Sequence, residues 1–348
     1  MNRDKTDVEN FLELSKSIPV CDVRSPAEYN SGHIPGAVNI PLFSNSERES
    51  VGIKYKKEGR LPAIKEGLAL IGTQLSEKLS EACKLSENNK LLVYCWRGGM
   101  RSESMSWLFS LAGINARTLD GGYKSYRRHI LEKLSEQRKM IILGGLTGSG
   151  KTHILNYLKA QSQQVIDMEG LASHKGSAFG ALGQNPQPTT EHFANILYNE
   201  WEKLDPANPV WLEDESRHIG SVFIPEVYFS NMQKSPVIVL MMDMDIRLPR
   251  LLKEYSLFQK DELKAAVMRI AKRLGGDNLK EAIKAIDNDN FAKAIEITLT
   301  YYDKAYLYGL SRKTPDNIIF VKTDTDDIKE NAAKILEAAN EIKRKDFV

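Results

Sequence analysis

The stretch Met140-Ile-Ile-Leu-Gly-Gly-Leu-Thr-Gly-Ser-Gly-Lys-Thr152 decides the fold of the C-terminal part of the chain. Its apolar run 140–143 predicts a buried strand, and residues 145–152 fit the pattern G-x-x-x-x-G-K-[ST] before a predicted helix from Thr152. Glycines in such a loop let backbone N–H groups turn toward a phosphate, while Lys151 and the helix N-terminus add positive charge. Thr152 is placed to bind Mg²⁺ if a metal accompanies the ligand. The predicted phosphate-binding residues are Gly145, Thr147, Gly148, Ser149, Gly150, Lys151 and Thr152.

Acidic side chains follow other apolar runs in this part of the chain. The run from Val210 ends in Glu213-Asp214-Glu215, and a competing run ends at Asp243. Asp167 and Glu169 follow a further predicted strand. Because ligands of open α/β sheets bind at the carboxyl ends of the strands, these acids are expected near the phosphate loop.

Apolar runs alternate with helical patterns along the whole chain, which predicts two α/β domains with parallel sheets. A predicted helix over 125–136 separates them, giving a first α/β domain over 1–132 and a doubly wound P-loop domain over 133–348. The predicted strands are 20–23, 91–94, 140–143, 164–168, 210–213, 237–243 and 318–321. The predicted helical regions are within 1–17, 64–83, 125–136, 246–310 and from Asp326.

Composition narrows the compartment and the class of protein. The 348 residues are 42% hydrophobic and 27% charged with a net charge of +2, which is ordinary for a globular protein. Three cysteines without a CxxC pair argue against disulfides or a zinc cluster. No apolar run approaches the roughly 18 residues of a membrane span, and no signal peptide is visible. We expect a cytoplasmic protein without a membrane partner or a resident metal site, while Mg²⁺ that accompanies the ligand is possible.

A second chemical motif surrounds Cys95, which follows the apolar run 91–94 and precedes a glycine-rich turn. Successive N–H groups in such a turn form an anion nest, and Arg97 and Arg101 add charge that favours the thiolate. Cys95 is therefore the predicted nucleophile, with Arg97 and Arg101 facing an anion. Cys21 and Cys83 have no such surroundings and are expected to be buried as small apolar residues.

The segment Asp22-Val-Arg24 through His33-Ile-Pro-Gly36, together with the cysteine loop, resembles rhodanese domains. That resemblance implies a structural role for His33. Cys95-Trp-Arg-Gly-Gly-Met-Arg-Ser102, a following Leu119-Asp-Gly-Gly-Tyr and a P-loop in one chain resemble the tRNA 2-selenouridine synthase family. Further resemblance lies in 47–56, 167–180, 212–220 and Tyr301-Tyr-Asp303, although Lys304 stands where proline is expected. Site candidates beside the P-loop are Asp167, Glu169, His174, Glu213, Asp214, Glu215, Ser216 and Arg217.

The resemblance implies a transferase acting on 2-thiouridine at the wobble position of tRNA. Such enzymes attach a geranyl group from geranyl diphosphate to sulfur and then replace it with selenium from selenophosphate, with no required cofactor. The P-loop would hold the leaving diphosphate, and the Cys95 loop would hold selenophosphate, with a perselenide at Cys95 as a hypothesis.

A tRNA partner requires local basic surface. One candidate is the interdomain stretch, with Lys124, Tyr126, Arg127 and Arg128 as predicted tRNA contacts. A second candidate comprises Arg247, Arg250, Lys253, Arg269, Lys272 and Arg273.

Three alternatives remain open at this stage. The Cys-x5-Arg spacing also fits a phosphatase built on the rhodanese fold. A sulfurtransferase with an attached kinase or NTPase domain, or a docking module without chemistry, would share the same organisation.

Overall fold

A computed structural model describes residues 5–345, except for the side chains of residues 316 and 343–345. The predicted N-terminal helix is observed at Val8–Ser15, and residues 1–4 of that prediction lie outside the described range. The chain forms two compact units: the first runs to Lys133 and includes residues 194–196, and the second contains the remainder. Within the described part, no helix has the length and apolar character needed to cross a membrane.

The first unit is built on a five-stranded parallel sheet in the order β1-β5-β4-β2-β3. Its strands are β1 (Lys5–Thr6), β2 (Val20–Asp22), β3 (Val38–Asn39), β4 (Lys90–Tyr94) and β5 (Asn115–Leu119). Its helices are α1 (Val8–Ser15), α2 (Pro26–Ser31), α3 (Asn45–Glu58), α4 (Arg60–Ile71), α5 (Leu75–Leu85), α6 (Met100–Ser110) and α7 (Gly122–Ser135). Side chains of β2 and β4 pack with Phe109 of α6 in the core, which places the end of β4 at the start of the cysteine loop.

A buried ion pair fixes the loop that follows β2. The Arg24 guanidinium donates to the Asp22 carboxylate at 2.6–3.0 Å and to the Gly32 carbonyl oxygen at 2.6 Å. Its Cζ atom also lies 3.8 Å from the centroid of the Tyr123 ring. His33 stacks on Tyr29 with ring centroids 3.8 Å apart, a packing role like the one that the resemblance implies.

Arg24→Met is expected to destabilise the first unit by about 3–5 kcal/mol, because it leaves the buried Asp22 charge without its partner. Hydrogen exchange of first-unit peptides, measured where exchange requires global opening, reports this loss. The exposed Arg60 offers a matched control, Arg60→Met, which should exchange like the wild type. Equal exchange in the two variants would contradict the prediction.

The second unit is built on a parallel sheet in the order β12-β11-β6-β8-β7, with a two-stranded antiparallel sheet formed by β9 and β10. Its strands are β6 (Met140–Gly145), β7 (Gln164–Val165), β8 (Val210–Glu213), β9 (His218–Ile219), β10 (Val222–Phe223), β11 (Val237–Met242) and β12 (Ile318–Thr323). Its helices are α8 (Lys151–Ala160), α9 (Met168–Ala172), α10 (Thr190–Glu202), α11 (Glu226–Lys234), α12 (Met244–Tyr255), α13 (Lys260–Arg269), α14 (Ala271–Leu274), α15 (Gly276–Asp287), α16 (Phe291–Ser311) and α17 (Ile328–Lys345).

The predicted α/β class with two parallel sheets is confirmed, but two local predictions are wrong. The strand predicted over 164–168 ends at Val165, because the Asp167 carboxylate accepts from the Gly170 N–H and begins α9. The helical region predicted over 64–83 is confirmed and consists of two helices, α4 and α5, joined by a 3₁₀ turn at Gly72–Gln74. Cys83 is exposed rather than buried, because it lies on the outer face of α5.

Candidate functional site

The glycine-rich loop, residues 145–152, connects β6 to α8, and two side-chain hydrogen bonds at Gly145 hold it in place. The Lys151 ammonium donates to the Gly145 carbonyl oxygen at 2.9 Å, and the Gly145 N–H donates to the Tyr306 hydroxyl at 2.9 Å. Gly148 and Gly150 adopt φ of +82° and +80°, the left-handed region that glycine enters without strain. Lys151 is thereby placed at the start of α8, where the partial positive charge of the helix adds to its own.

A cavity of about 410 Å³ opens beside this loop, and its lining combines two chemical kinds of residue. The polar part of the lining includes Lys151 and Thr152 of the loop together with carboxylates and Arg250. The apolar and aromatic part consists of Phe179, Leu182, Leu251, Tyr255, Phe258 and Tyr302. The arrangement suits a ligand that joins an anionic group to an apolar group.

The structure brings most of the predicted residues of this unit together. Those that line the cavity are Gly145, Thr147, Gly148, Gly150, Lys151, Thr152, Asp167, Glu169, Asp214, Glu215 and Ser216. Ser149, His174, Glu213, Arg217 and Asp243 lie outside the lining. Ser149 and His174 are buried, and Arg217 instead forms an ion pair with Glu226. Burial, with a smaller contribution from the charge of Arg269, lowers the pKa of His174.

The acids divide into supporting and cavity-facing groups. Glu213 is fully buried and accepts from the Met168 N–H at 3.0 Å, which ties α9 to β8. Asp214 accepts from Lys313 and, at 3.0 Å, from the Tyr306 hydroxyl, so it supports the residue that holds Gly145. Burial, followed by repulsion from Asp167 and Glu169, raises the pKa of Glu213 well above its ordinary value.

Glu169 and Glu215 form a hydrogen-bonded carboxyl pair at the cavity wall. The Thr152 hydroxyl donates to Glu169 Oε2 at 3.2 Å. Both Oε1 atoms converge on Gly176, where an added Cβ would lie 2.7 Å from Glu169 Oε1 and 2.8 Å from Glu215 Oε1. Burial is the main cause that raises the pKa of each, with Lys151 opposing it, and the charge of Glu169 raises the pKa of Glu215 further. The pair therefore favours holding a proton.

This pair is expected to make the second unit more stable at acid pH. Because the folded pKa values are raised, the stabilisation is complete below the unfolded Glu pKa, about 4.3, and is lost as pH rises through the folded values. Glu215→Gln replaces one carboxyl with an amide that donates to Glu169. We expect this variant to have a higher thermal midpoint than the wild type. The difference between the two midpoints should be at least about 2 °C larger at pH 8 than at pH 5.

Thermal unfolding at both pH values measures this difference, and Glu337→Gln, at an exposed position of α17, is the control. A pH-independent difference between Glu215→Gln and the wild type would show that the two carboxyl groups do not share a proton.

Within the described residues, no cluster of three or more His, Cys, Asp or Glu side chains has the arrangement of a metal site. Thr152 and Glu169 are the cavity residues that would hold a Mg²⁺ ion, because their side-chain oxygens already lie within hydrogen-bond distance of each other.

Cys95 in the first unit lies directly after β4, at the base of a loop that ends where α6 begins. Its side chain is buried, with Sγ 3.2 Å from the Ser102 hydroxyl oxygen. The start of α7 holds this loop, because the Tyr123 N–H donates to the Cys95 carbonyl oxygen at 2.8 Å. Ser102 was not singled out as a functional residue from the sequence, although the motif places it one residue after Arg101.

The two arginines of the cysteine loop differ in their surroundings. Arg97 is exposed, whereas Arg101 forms a two-pronged ion pair with Glu28 at 2.7 and 3.2 Å. Burial raises the pKa of Glu28, but the hydrogen bonds and charge of Arg101 outweigh it, so the pKa lies below its ordinary value. The guanidinium of Arg101 is therefore paired with a carboxylate of α2, and the expectation that it faces an anion stays a prediction.

The predicted tRNA contacts on α7 are only partly accessible. Lys124 and Arg128 are exposed. Tyr126 is 1% exposed, so its side chain is not accessible to tRNA, which corrects the prediction that it is a tRNA contact. Arg127 donates to the Asn195 side chain within the first unit. The second basic region is also smaller than predicted, because Arg247 is buried against Asp303.

Fold and sites together define a two-domain protein in which a rhodanese-like domain precedes a second α/β domain that carries a P-loop motif. Residues 4–129 match the rhodanese-like domain family, and residues 138–339 match the family described as tRNA 2-selenouridine synthase AAA domain.

Relatives with the name tRNA 2-selenouridine synthase match most of the chain. The Shewanella frigidimarina protein is 36% identical, covering 88% of this chain and 92% of its own. The Sulfurovum protein is 37% identical over 84% and 89% of the two chains, and the Nitrosomonas europaea protein is 32% identical over 85% and 90%. This chain belongs to the tRNA 2-selenouridine synthase family.

Proposed function

We propose that this chain is an enzyme that converts 2-thiouridine in tRNA into 2-selenouridine. Family membership supports the overall conversion. The observation that carries the finer proposal is the cavity of the second unit, in which a phosphate-binding loop motif and an aromatic wall share one space. Its volume of about 410 Å³ falls in the range of small-molecule sites, about 300–1,000 Å³.

The first proposed step transfers a geranyl group from geranyl diphosphate to the sulfur of 2-thiouridine. The carbon–oxygen bond to the diphosphate breaks, a carbon–sulfur bond forms, and N3 of the base loses its proton. Backbone N–H groups of the glycine-rich loop and the Lys151 ammonium stabilise the negative charge that develops on the diphosphate. The apolar chain lies against aromatic residues of the cavity lining, including Phe179 and Tyr255, whose rings stack 4.7 Å apart.

No resident cofactor enters this proposal. Thr152 and Glu169 are the residues that would meet a Mg²⁺ ion carried in by the diphosphate.

The second proposed step replaces the S-geranyl group with selenium. Alkylation turns the sulfur into a good leaving group, so a selenium nucleophile adds at C2, the carbon–sulfur bond breaks and geranylthiolate departs. Selenophosphate supplies the selenium at the cysteine loop of the first unit. Cys95, whose Sγ lies 3.2 Å from the Ser102 hydroxyl oxygen, is the residue proposed to react with it.

The role of Cys95 follows from counting electrons. Selenium in selenophosphate is already fully reduced, so a perselenide at Cys95 would require an oxidant. Attack of the Cys95 thiolate on phosphorus requires none: a sulfur–phosphorus bond forms, the phosphorus–selenium bond breaks and hydrogen selenide anion leaves. Water then hydrolyses the phosphocysteine. We therefore propose Cys95 as a nucleophile toward phosphorus.

The tRNA is proposed to contact the exposed cations of α7, Lys124 and Arg128. Phosphate contacts of this kind contribute affinity without sequence specificity.

Mass analysis of nucleosides tests the proposal. The full chain is incubated with thiolated tRNA, geranyl diphosphate and selenophosphate, and each small substrate is omitted in turn. We expect S-geranyl-2-thiouridine without selenophosphate and 2-selenouridine with both. A geranyl adduct that never gains selenium would confine the activity to the first step. Unchanged tRNA together with hydrolysis of a simple phosphomonoester would overturn the proposal in favour of a phosphatase.

A further inference from the structure

Arg250 of α12 brings a second cation to the glycine-rich loop from outside the motif. Its side chain lines the same cavity as Lys151. Nη1 donates to the Gly148 carbonyl oxygen at 3.3 Å. The guanidinium packs on Gly150, since an added Cβ there would lie 2.1 Å from Nη1. Arg250 therefore packs against the N-terminus of α8 at Gly150, the residue that precedes Lys151 in the chain.

The two cations occupy different points of the loop. Lys151 is bonded to the carbonyl oxygen of Gly145, whereas Arg250 is bonded to that of Gly148. A single phosphate needs only one of these two cations, whereas a diphosphate has a second phosphate that can contact the other. A point charge at Lys151 and a planar, multidentate guanidinium at Arg250 suit the two groups of one diphosphate.

Arg250 also retains hydrogen-bonding capacity for a ligand. Its described hydrogen bonds go to Gly148 and, at 3.1 Å, to the Asp326 carbonyl oxygen, which uses two of the five guanidinium N–H groups. The Asp326 carboxylate is 3.9 Å away and 68% exposed, so this ion pair is weak. The side chain of Arg250 itself is only 15% exposed, which limits competition from water.

A neighbouring arginine fixes the helix that presents Arg250. Arg247, one turn earlier on α12, donates to Asp303 at 2.6 and 3.0 Å and to the Thr147 carbonyl oxygen at 2.9 Å. These bonds anchor α12 to the glycine-rich loop itself. Arg247 is thus a positioning residue, and Arg250 is the one directed into the cavity.

We propose that Arg250 binds the second phosphate of a diphosphate ester whose first phosphate lies at Lys151. This inference rests on the proposed function, because it assigns a residue to the diphosphate of the first step. It also defines the ligand more narrowly: the cavity selects a diphosphate over a monophosphate ester.

Binding of inorganic diphosphate and of orthophosphate to the full chain, measured by calorimetry, tests the assignment. Arg250→Ala is expected to weaken diphosphate binding by about 10- to 100-fold, as loss of charge-assisted hydrogen bonds does, and to change orthophosphate binding by less than about 3-fold. Arg250→Lys, which keeps the charge but loses the fork, should fall between. Lys253→Ala, at an exposed cation on the same helix, should bind both anions like the wild type.

Each outcome separates the inference from the proposed function. Wild-type affinity for diphosphate in Arg250→Ala, or equal losses for both anions, would overturn the role of Arg250 while leaving geranyl transfer in place. No diphosphate binding by the wild type would overturn the first step itself and this inference with it. If the alanine variant unfolds at a lower temperature than the wild type, Arg250→Lys carries the comparison.

Discussion

Chains that carry Cys95→Ala are expected to geranylate 2-thiouridine in tRNA like the wild type and to lose 2-selenouridine formation by on the order of a thousand-fold. The reason is that the thiolate is the proposed nucleophile toward selenophosphate, whereas the proposed diphosphate site lies in the other unit. Supplying tRNA that already bears S-geranyl-2-thiouridine isolates this step, and mass analysis of the nucleosides measures it.

Cys83→Ala is the matched control, because Cys83 is also a free cysteine but is exposed on α5. It should leave both steps unchanged. Selenium incorporation at the wild-type rate in Cys95→Ala would refute a chemical role for this sulfur. Loss of geranylation as well would mean that the two steps share the first unit.

The reciprocal result is expected for Lys151→Ala. Removing the ammonium takes away a charge that we propose stabilises the leaving diphosphate, and loss of one such group typically lowers the rate about 10²–10³-fold. Geranylation should therefore fall by that factor, while tRNA supplied in the S-geranyl form should still be converted to 2-selenouridine.

Lys159, at the other end of α8, provides the control, since Lys159→Ala removes a lysine from the same helix away from the cavity. Initial rates of adduct formation at several concentrations of geranyl diphosphate separate binding from chemistry. If Lys151→Ala raises KM and leaves kcat unchanged, the lysine binds the ground state and the transition state equally.

The sequence predicted the features that depend on local pattern. The run 140–143 and the glycines after it predicted a strand, a turn and a helix, and the structure has β6, the loop and α8 in that order. The cysteine loop followed a predicted strand for the same reason. Apolar runs and glycine spacing involve only residues that are adjacent in sequence, so these elements could be predicted without knowledge of tertiary contacts.

The errors and omissions arose where contacts between residues distant in sequence decide the surroundings of a side chain. Tyr126 belongs to a stretch rich in cations and aromatics, yet its ring is buried. Arg101 has the expected spacing from Cys95, but only the structure shows that its guanidinium is paired with Glu28, 73 residues away in sequence. Arg250 looked like part of a basic helix face, and only the approach of α12 to the loop places it in the cavity. Periodicity cannot specify such distant pairs.

The contact between Tyr306 and Gly145 has a consequence for how the protein matures during translation. These residues are 161 positions apart, and Tyr306 is itself held by Asp214. At about 5–20 residues per second, roughly 8–30 s separate the synthesis of the loop from that of its support. A nascent chain that ends before α16 carries the whole phosphate-binding motif without the hydroxyl that holds it. Ribosome-bound chains should therefore gain affinity for diphosphate only once residue 306 has left the exit tunnel.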